Sequence, residues 1–120
     1  MTDQKLVYIQ PRLLKYILDI ESVIQEIESI KRKTQNDFKN FSEDVILQRA
    51  VERDLEIIGE AIRKSIEINP KLKITATKNI IGLRNIISHA YDSVEPEMLW
   101  GIIQNNIPVL AEEIKALKRN

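Results

Sequence analysis

Two apolar stripes at helical spacing constrain this chain more than anything else in it. Leu13, Ile17, Ile20, Ile24 and Ile27 step by four and three residues, and Leu47, Val51, Leu55, Ile58, Ile62 and Ile66 do the same. Side chains three and four apart share a face of an α-helix, so each stripe is a seam that must be buried against another helix. No run alternates cleanly between apolar and polar residues as a half-buried strand would. The fold class is therefore all-α.

The boundaries follow from local chemistry. Pro11 suits the first turn of a helix, where its missing N–H costs nothing. The first stripe predicts a helix over 11–33, ending at Lys31-Arg32-Lys33. Ser42 is the expected N-cap of a second helix over 43–67, with Glu43 and Asp44 favourable in its first turn. Gly59 interrupts that helix at about 1 kcal/mol relative to alanine, which points to close approach by another helix. Asn69-Pro70 stops it. Thr75 or Thr77 can cap a shorter helix over 78–87. A last helix starts at Pro96 and carries Leu99, Ile103, Leu110, Ile114 and Leu117, with Pro108 expected to kink it. Together these predict an up-and-down bundle of four main helices in one domain spanning 1–120.

Composition removes several classes of chemistry. There is no cysteine and one histidine, so disulfides, thiolate sites and a histidine zinc cluster within one chain are excluded. The start, Met1-Thr2-Asp3-Gln4-Lys5, lacks the apolar run of a signal peptide, and no stretch approaches the roughly 18 apolar residues of a membrane span. A cytoplasmic location is expected. Eighteen basic and eighteen acidic residues balance to zero, so any nucleic acid must meet a local patch. Lys31-Arg32-Lys33 is one such patch, although cations at a helix C-terminus also serve the helix itself. Glu56 and Glu60, four apart, have the spacing of a carboxylate pair, but no histidine or aspartate nearby completes a metal set, and interhelical ion pairs and hydrogen bonds are the expected role. We expect neither a metal nor a cofactor.

The densest chemistry lies in Gly82-Leu83-Arg84-Asn85-Ile86-Ile87-Ser88-His89-Ala90-Tyr91-Asp92. Residues five apart on a helix differ by about 140° around its axis, so Arg84 and His89 do not share a face. They can meet if the helix ends near Ser88, or across the two-fold axis of a dimer. Histidine exchanges protons near neutral pH, and arginine offers a fixed fork for phosphate oxygens. Such a pair suits RNA cleavage without a metal, one histidine taking the 2′-hydroxyl proton and arginine stabilising the charged phosphorane. Asn85 can orient the phosphate. From spacing alone, a lone histidine near a helix end more often caps the helix or packs than catalyses.

Arg84-Asn85-Ile86-Ile87-Ser88-His89-Ala90-Tyr91 resembles the Arg-x4-His-x-Tyr motif of HEPN-domain proteins, specifically the HepT-like toxin family. Ala50-Val51-Glu52-Arg53-Asp54-Leu55-Glu56-Ile57-Ile58-Gly59-Glu60-Ala61-Ile62 is similar to that family's second-helix signature. Ile80-Ile81-Gly82-Leu83-Arg84-Asn85 and the Tyr91–Trp100 segment also resemble it. The resemblance covers nearly the whole chain. One departure is that many relatives carry a tryptophan where this chain has Ala76 and Thr77.

The resemblance implies a HEPN homodimer in which Arg84 and His89 of both copies form a ribonuclease cleft, acting on tRNA or mRNA. It also implies a partner, a minimal nucleotidyltransferase antitoxin of a type VII-like toxin–antitoxin system. That partner is expected to transfer AMP to Tyr91. AMP there would add bulk and negative charge beside Arg84 and His89. The alternative is a non-catalytic helical dimer that holds the nucleotidyltransferase or a nucleotide, which the neutral charge and low aromatic content favour. A purely structural bundle leaves the Arg, Asn, His and Tyr cluster without a role.

Overall fold

The computed structural model describes residues 10–75 and 95–119, and every regular element among them is helical. α1 runs Pro11–Lys33, α2 Phe38–Ser42, α3 Val45–Ile68, α4 Pro96–Gly101 and α5 Ile107–Arg119, with a π-helical turn Ile102–Asn106 joining the last two. The expected all-α bundle is what the chain forms. The predicted helix over 78–87 and Thr77 lie outside the described residues.

α1 follows the bounds its apolar steps predict, with Pro11 at its start. Its buried side chains are Leu13, Ile17, Ile20, Val23, Ile24, Ile27 and Ile30. Those of α3 include Val51, Leu55, Ile58, Gly59, Ala61 and Ile62. The two seams close on each other, as α3 returns along α1. Leu99, Ile103, Ile107, Leu110 and Ile114 complete the same core from the last helical segment. Burying each such side chain contributes roughly 1.5–3 kcal/mol. Gly59 is buried on the core side of α3, consistent with close packing at that position.

Ser42 does not cap the second long helix. It ends the short helix α2, and its hydroxyl donates to the Lys39 carbonyl at 2.8 Å. The cap of α3 is Asp44, which has extended backbone and accepts the Leu47 N–H at 3.0 Å. A carboxylate satisfies the orphan amides and the helix dipole together, so it outcompetes a hydroxyl two residues upstream. α2 buries Phe41, whose ring lies 5.1 Å from that of Trp100 on α4, with Phe38 at 6.0 Å.

Pro108 is absorbed by widening the helix ahead of it. The Ile107 N–H reaches back five residues to the Ile102 carbonyl, and backbone angles stay helical on both sides (φ −64, ψ −46 at Ile102; φ −63, ψ −41 at Ile107). A longer hydrogen-bond step relieves the proline ring's conflict with the preceding turn. Where a kink is expected, the structure has a π turn.

The α1–α2 corner is the other irregular feature. Gln35 and Asn36 adopt positive φ, 57° and 52°, a region costing roughly 1 kcal/mol or more for a residue with a Cβ. Among the described residues, no helix is long and apolar enough to cross a membrane.

Candidate functional site

Arg84, Asn85, His89 and Tyr91 lie outside the described residues. What the structure places is the frame on either side of the segment that carries them. Upstream, Ile74 is buried in the core and Thr75 is pinned to α5. The Thr75 N–H donates to Glu113 Oε2 at 2.9 Å and Oε1 at 3.2 Å, and its hydroxyl donates to Oε2 at 2.8 Å. Downstream, the Glu95 carbonyl accepts the N–H groups of Met98 and Leu99 at 3.0 and 3.3 Å, opening α4 at Pro96. Leu99 is fully buried. Both approaches to the segment are therefore tied to the same core, so its entry and exit points are set by the bundle.

The helix carrying the 50–62 signature borders a surface depression. Tyr16 and Asp19 of α1 and Arg53, Glu56, Ile57, Glu60 and Ala61 of α3 line a depression of about 310 Å³ between the two helices. Glu60 accepts from Arg63 in a two-point contact, Nη2 to Oε2 at 2.8 Å and Nε to Oε1 at 3.3 Å. Arg63 also pairs with Glu67, and together these carboxylates hold its guanidinium more firmly protonated than usual. These Arg63 pairs run along α3. No cluster of three or more metal-ligating side chains occurs among the described residues. On the neighbouring helix, Lys15 pairs with Asp19 at 3.0 Å and lies 4.8 Å from the Tyr16 ring centroid.

One group escaped the sequence pattern. Asp54 is 5% exposed, on the buried face of α3 against α1. Its Oδ2 has no hydrogen-bond partner among the described residues. Burial first and the neighbouring Glu26 carboxylate second raise the carboxyl to about 7, with the Arg53 charge opposing the rise. A buried carboxyl beside a second one titrates near neutrality because the protein gives it too little water to stay charged. Spacing held the signal: Asp54 lies three residues after Val51 and four before Ile58, within the apolar stripe.

The remaining charge concentration is at the α1–α2 corner. Arg32, Lys33 and Lys39 are exposed there, and Lys31 is half-buried beside Glu28.

Comparison with known proteins is consistent across the chain. The family model described as Ribonuclease HepT-like matches residues 20–117. A candidate RNase of Caldanaerobacter subterraneus subsp. tengcongensis is 33% identical over 100 residues, covering 82% of this chain and 89% of that protein. A candidate RNase of Methanocaldococcus jannaschii is 34% identical over 102 residues, covering 83% and 91%. A protein of Thermococcus cleftensis named as a probable ribonuclease HepT is 32% identical over 109 residues, covering 87% and 94%. No solved structure matches significantly. With a family match over most of its length and relatives of this similarity, the chain belongs to the HepT-like ribonuclease family.

Proposed function

We propose that this protein is a metal-independent endoribonuclease toxin that acts as a homodimer. The observation that carries the proposal is that the family match, residues 20–117, contains an intact Arg84-x4-His89-x-Tyr91 motif. In this mechanism the two copies line one cleft with their arginines and histidines. Unprotonated His89 removes the proton of a ribose 2′-hydroxyl, and the oxygen attacks the adjacent phosphorus. Arg84 stabilises the phosphorane as its charge develops, with Asn85 orienting the phosphate. A protonated acid, for which the second histidine of the dimer is suited, gives its proton to the departing 5′-oxygen. The products are a 2′,3′-cyclic phosphate and a 5′-hydroxyl end.

Tyr91 is the regulatory position in this reading. A minimal nucleotidyltransferase antitoxin transfers AMP from ATP: the phenolic oxygen attacks the α-phosphorus, pyrophosphate leaves, and the phenol gives up its proton. The added phosphate competes with RNA for Arg84.

The test is RNA decay by the purified, unmodified protein in EDTA. Wild type degrades RNA, and His89→Ala stops the reaction while keeping the helical circular dichroism spectrum. Equal decay by the two proteins overturns the proposal. The net charge of zero favours a second reading, a non-catalytic dimer that binds the nucleotidyltransferase. AMP transfer to Tyr91 in a protein that cuts no RNA selects that reading.

A further inference from the structure

The α1–α2 corner carries positive charge that the chemistry at Arg84 and His89 does not use. The stretch from residue 31 to 39 holds four cations, Lys31, Arg32, Lys33 and Lys39, and one carboxylate, Asp37, with Glu28 one turn upstream of Lys31, in a chain of zero net charge. Asp37 is already engaged, since its Oδ1 accepts the Lys39 N–H at 2.9 Å as the cap of α2. Lys31 approaches Glu28 at 3.7 Å, whereas Arg32, Lys33 and Lys39 make no ion pair among the described residues.

Cations at the end of a helix commonly answer its unpaired carbonyls. Here the corner answers three of the last four of those carbonyls itself. The Ile30 carbonyl accepts the Thr34 N–H at 3.1 Å and its hydroxyl at 3.1 Å. That of Lys31 accepts the Asn36 N–H at 2.7 Å and the Thr34 hydroxyl at 3.0 Å, and that of Arg32 accepts the Gln35 N–H at 3.0 Å. The Thr34 carbonyl accepts the Asp37 N–H at 3.1 Å and the Asn40 amide at 2.9 Å. The exposed cations are thus left to face an external anion.

The corner is also held in one shape. Its two left-handed residues persist because this network over-determines them, and Gln104 of the π turn donates to Asn36 Oδ1 at 2.7 Å. Glu28, Lys31, Arg32, Gln35 and Asn36 line a shallow depression of about 490 Å³. Every exposed residue from 32 to 40 is polar, so the corner itself carries no apolar wedge of the kind amphipathic membrane binders insert.

We infer that this corner binds the phosphodiester backbone of RNA, contributing affinity rather than chemistry. The Arg32 fork and the Lys33 and Lys39 ammonium groups meet phosphate oxygens, and the Gln35 and Asn36 amides offer neutral hydrogen bonds beside them. The inference rests on the ribonuclease reading for its substrate, and its test separates the two.

The decisive measurement is anisotropy titration of a labelled, 2′-O-methylated oligoribonucleotide, which cannot be cleaved. Arg32→Ala/Lys33→Ala/Lys39→Ala is expected to bind about tenfold more weakly at near-physiological salt, with the slope of log affinity against log salt reduced by about 2. Lys15→Ala/Lys115→Ala, which removes charge elsewhere, is expected to bind like wild type. On cleavable RNA the triple variant raises KM with kcat unchanged, and it cuts a dinucleotide as wild type does. Unchanged affinity and salt slope overturn the inference, as does a fall in kcat at constant KM, or a wild-type protein that binds no RNA. Wild type that binds through the corner but cuts nothing keeps the inference and removes the ribonuclease reading. Equal dependence of phosphatidylserine-vesicle binding on the three cations, without RNA binding, reassigns the corner to a membrane.

Discussion

Thr75 gives both its N–H and its hydroxyl to the carboxylate of Glu113, a residue 38 positions later on α5. This contact fixes the last described residue before the Arg84–Tyr91 motif to the helix that completes the core. Glu113→Ala is therefore expected to reduce RNA cleavage several-fold while lowering stability by about 1 kcal/mol, since the hydrogen bonds are exposed. Cleavage rates beside thermal melts of the same preparations check this. Wild-type cleavage by the variant would show that the tether does not position the motif.

Asp54 makes a prediction about pH. Its carboxyl is raised to about 7 in the folded protein by burial and by Glu26, against about 3.9 in an unfolded chain. Between those values the folded state holds more protons than the unfolded one, so stability from this group is complete below pH 4 and is lost as pH rises through 7. Asp54→Asn removes the titration. The variant is expected to melt several degrees above wild type at pH 8 and to lose most of that advantage at pH 5. Parallel melting curves across that range would assign the pH dependence elsewhere.

The two candidate caps of α3 are separable. Asp44→Ala is expected to destabilise by about 1 kcal/mol, because it strips the Leu47 N–H of its acceptor at the helix start. Ser42→Ala, which removes only an exposed hydroxyl donating to Lys39, is expected to change stability by less than about 0.5 kcal/mol. Urea denaturation midpoints decide between them.

Gln35 sits at φ 57° without a side-chain hydrogen bond of its own among the described residues. Gln35→Gly is expected to relieve the left-handed strain and raise the melting temperature by about 4 °C. Asn36→Gly, at φ 52°, gains less relief, since asparagine already tolerates this region, and also forfeits the contact from Gln104. Calorimetry of both variants measures the difference.

How much of this was legible in the sequence varies with the length of the pattern. α1 is read correctly because seven buried positions and Pro11 all report the same helix. α2 has five residues and one fully buried side chain, Phe41, so it produces no period and its Ser42 reads from sequence as the next helix's cap. Pro108 announces a distortion, but whether it becomes a kink or a wide turn depends on where Ile103 and Ile107 must point, which is a property of the packed core. Asp54 falls on the stripe, yet its altered titration arises from Glu26 on another helix, and contacts between helices leave no trace in local spacing. The motif chemistry was legible as residue types, and its family membership follows from the match over residues 20–117.

The π turn has a consequence for how this chain can change. From Leu99 to Ile107 the core positions advance by two steps of four, more than an α-helix supplies in two turns, and from Ile107 to Leu110 to Ile114 they return to ordinary spacing. The wide turn is a phase corrector: it takes up the surplus so that α5 stays aligned with the core. Pro108, by withholding one N–H, denies the helix the bond that would let it tighten. The proline and the corrector are one inheritance, and losing either alone would rotate Leu110 and Ile114 away from the seam they now close.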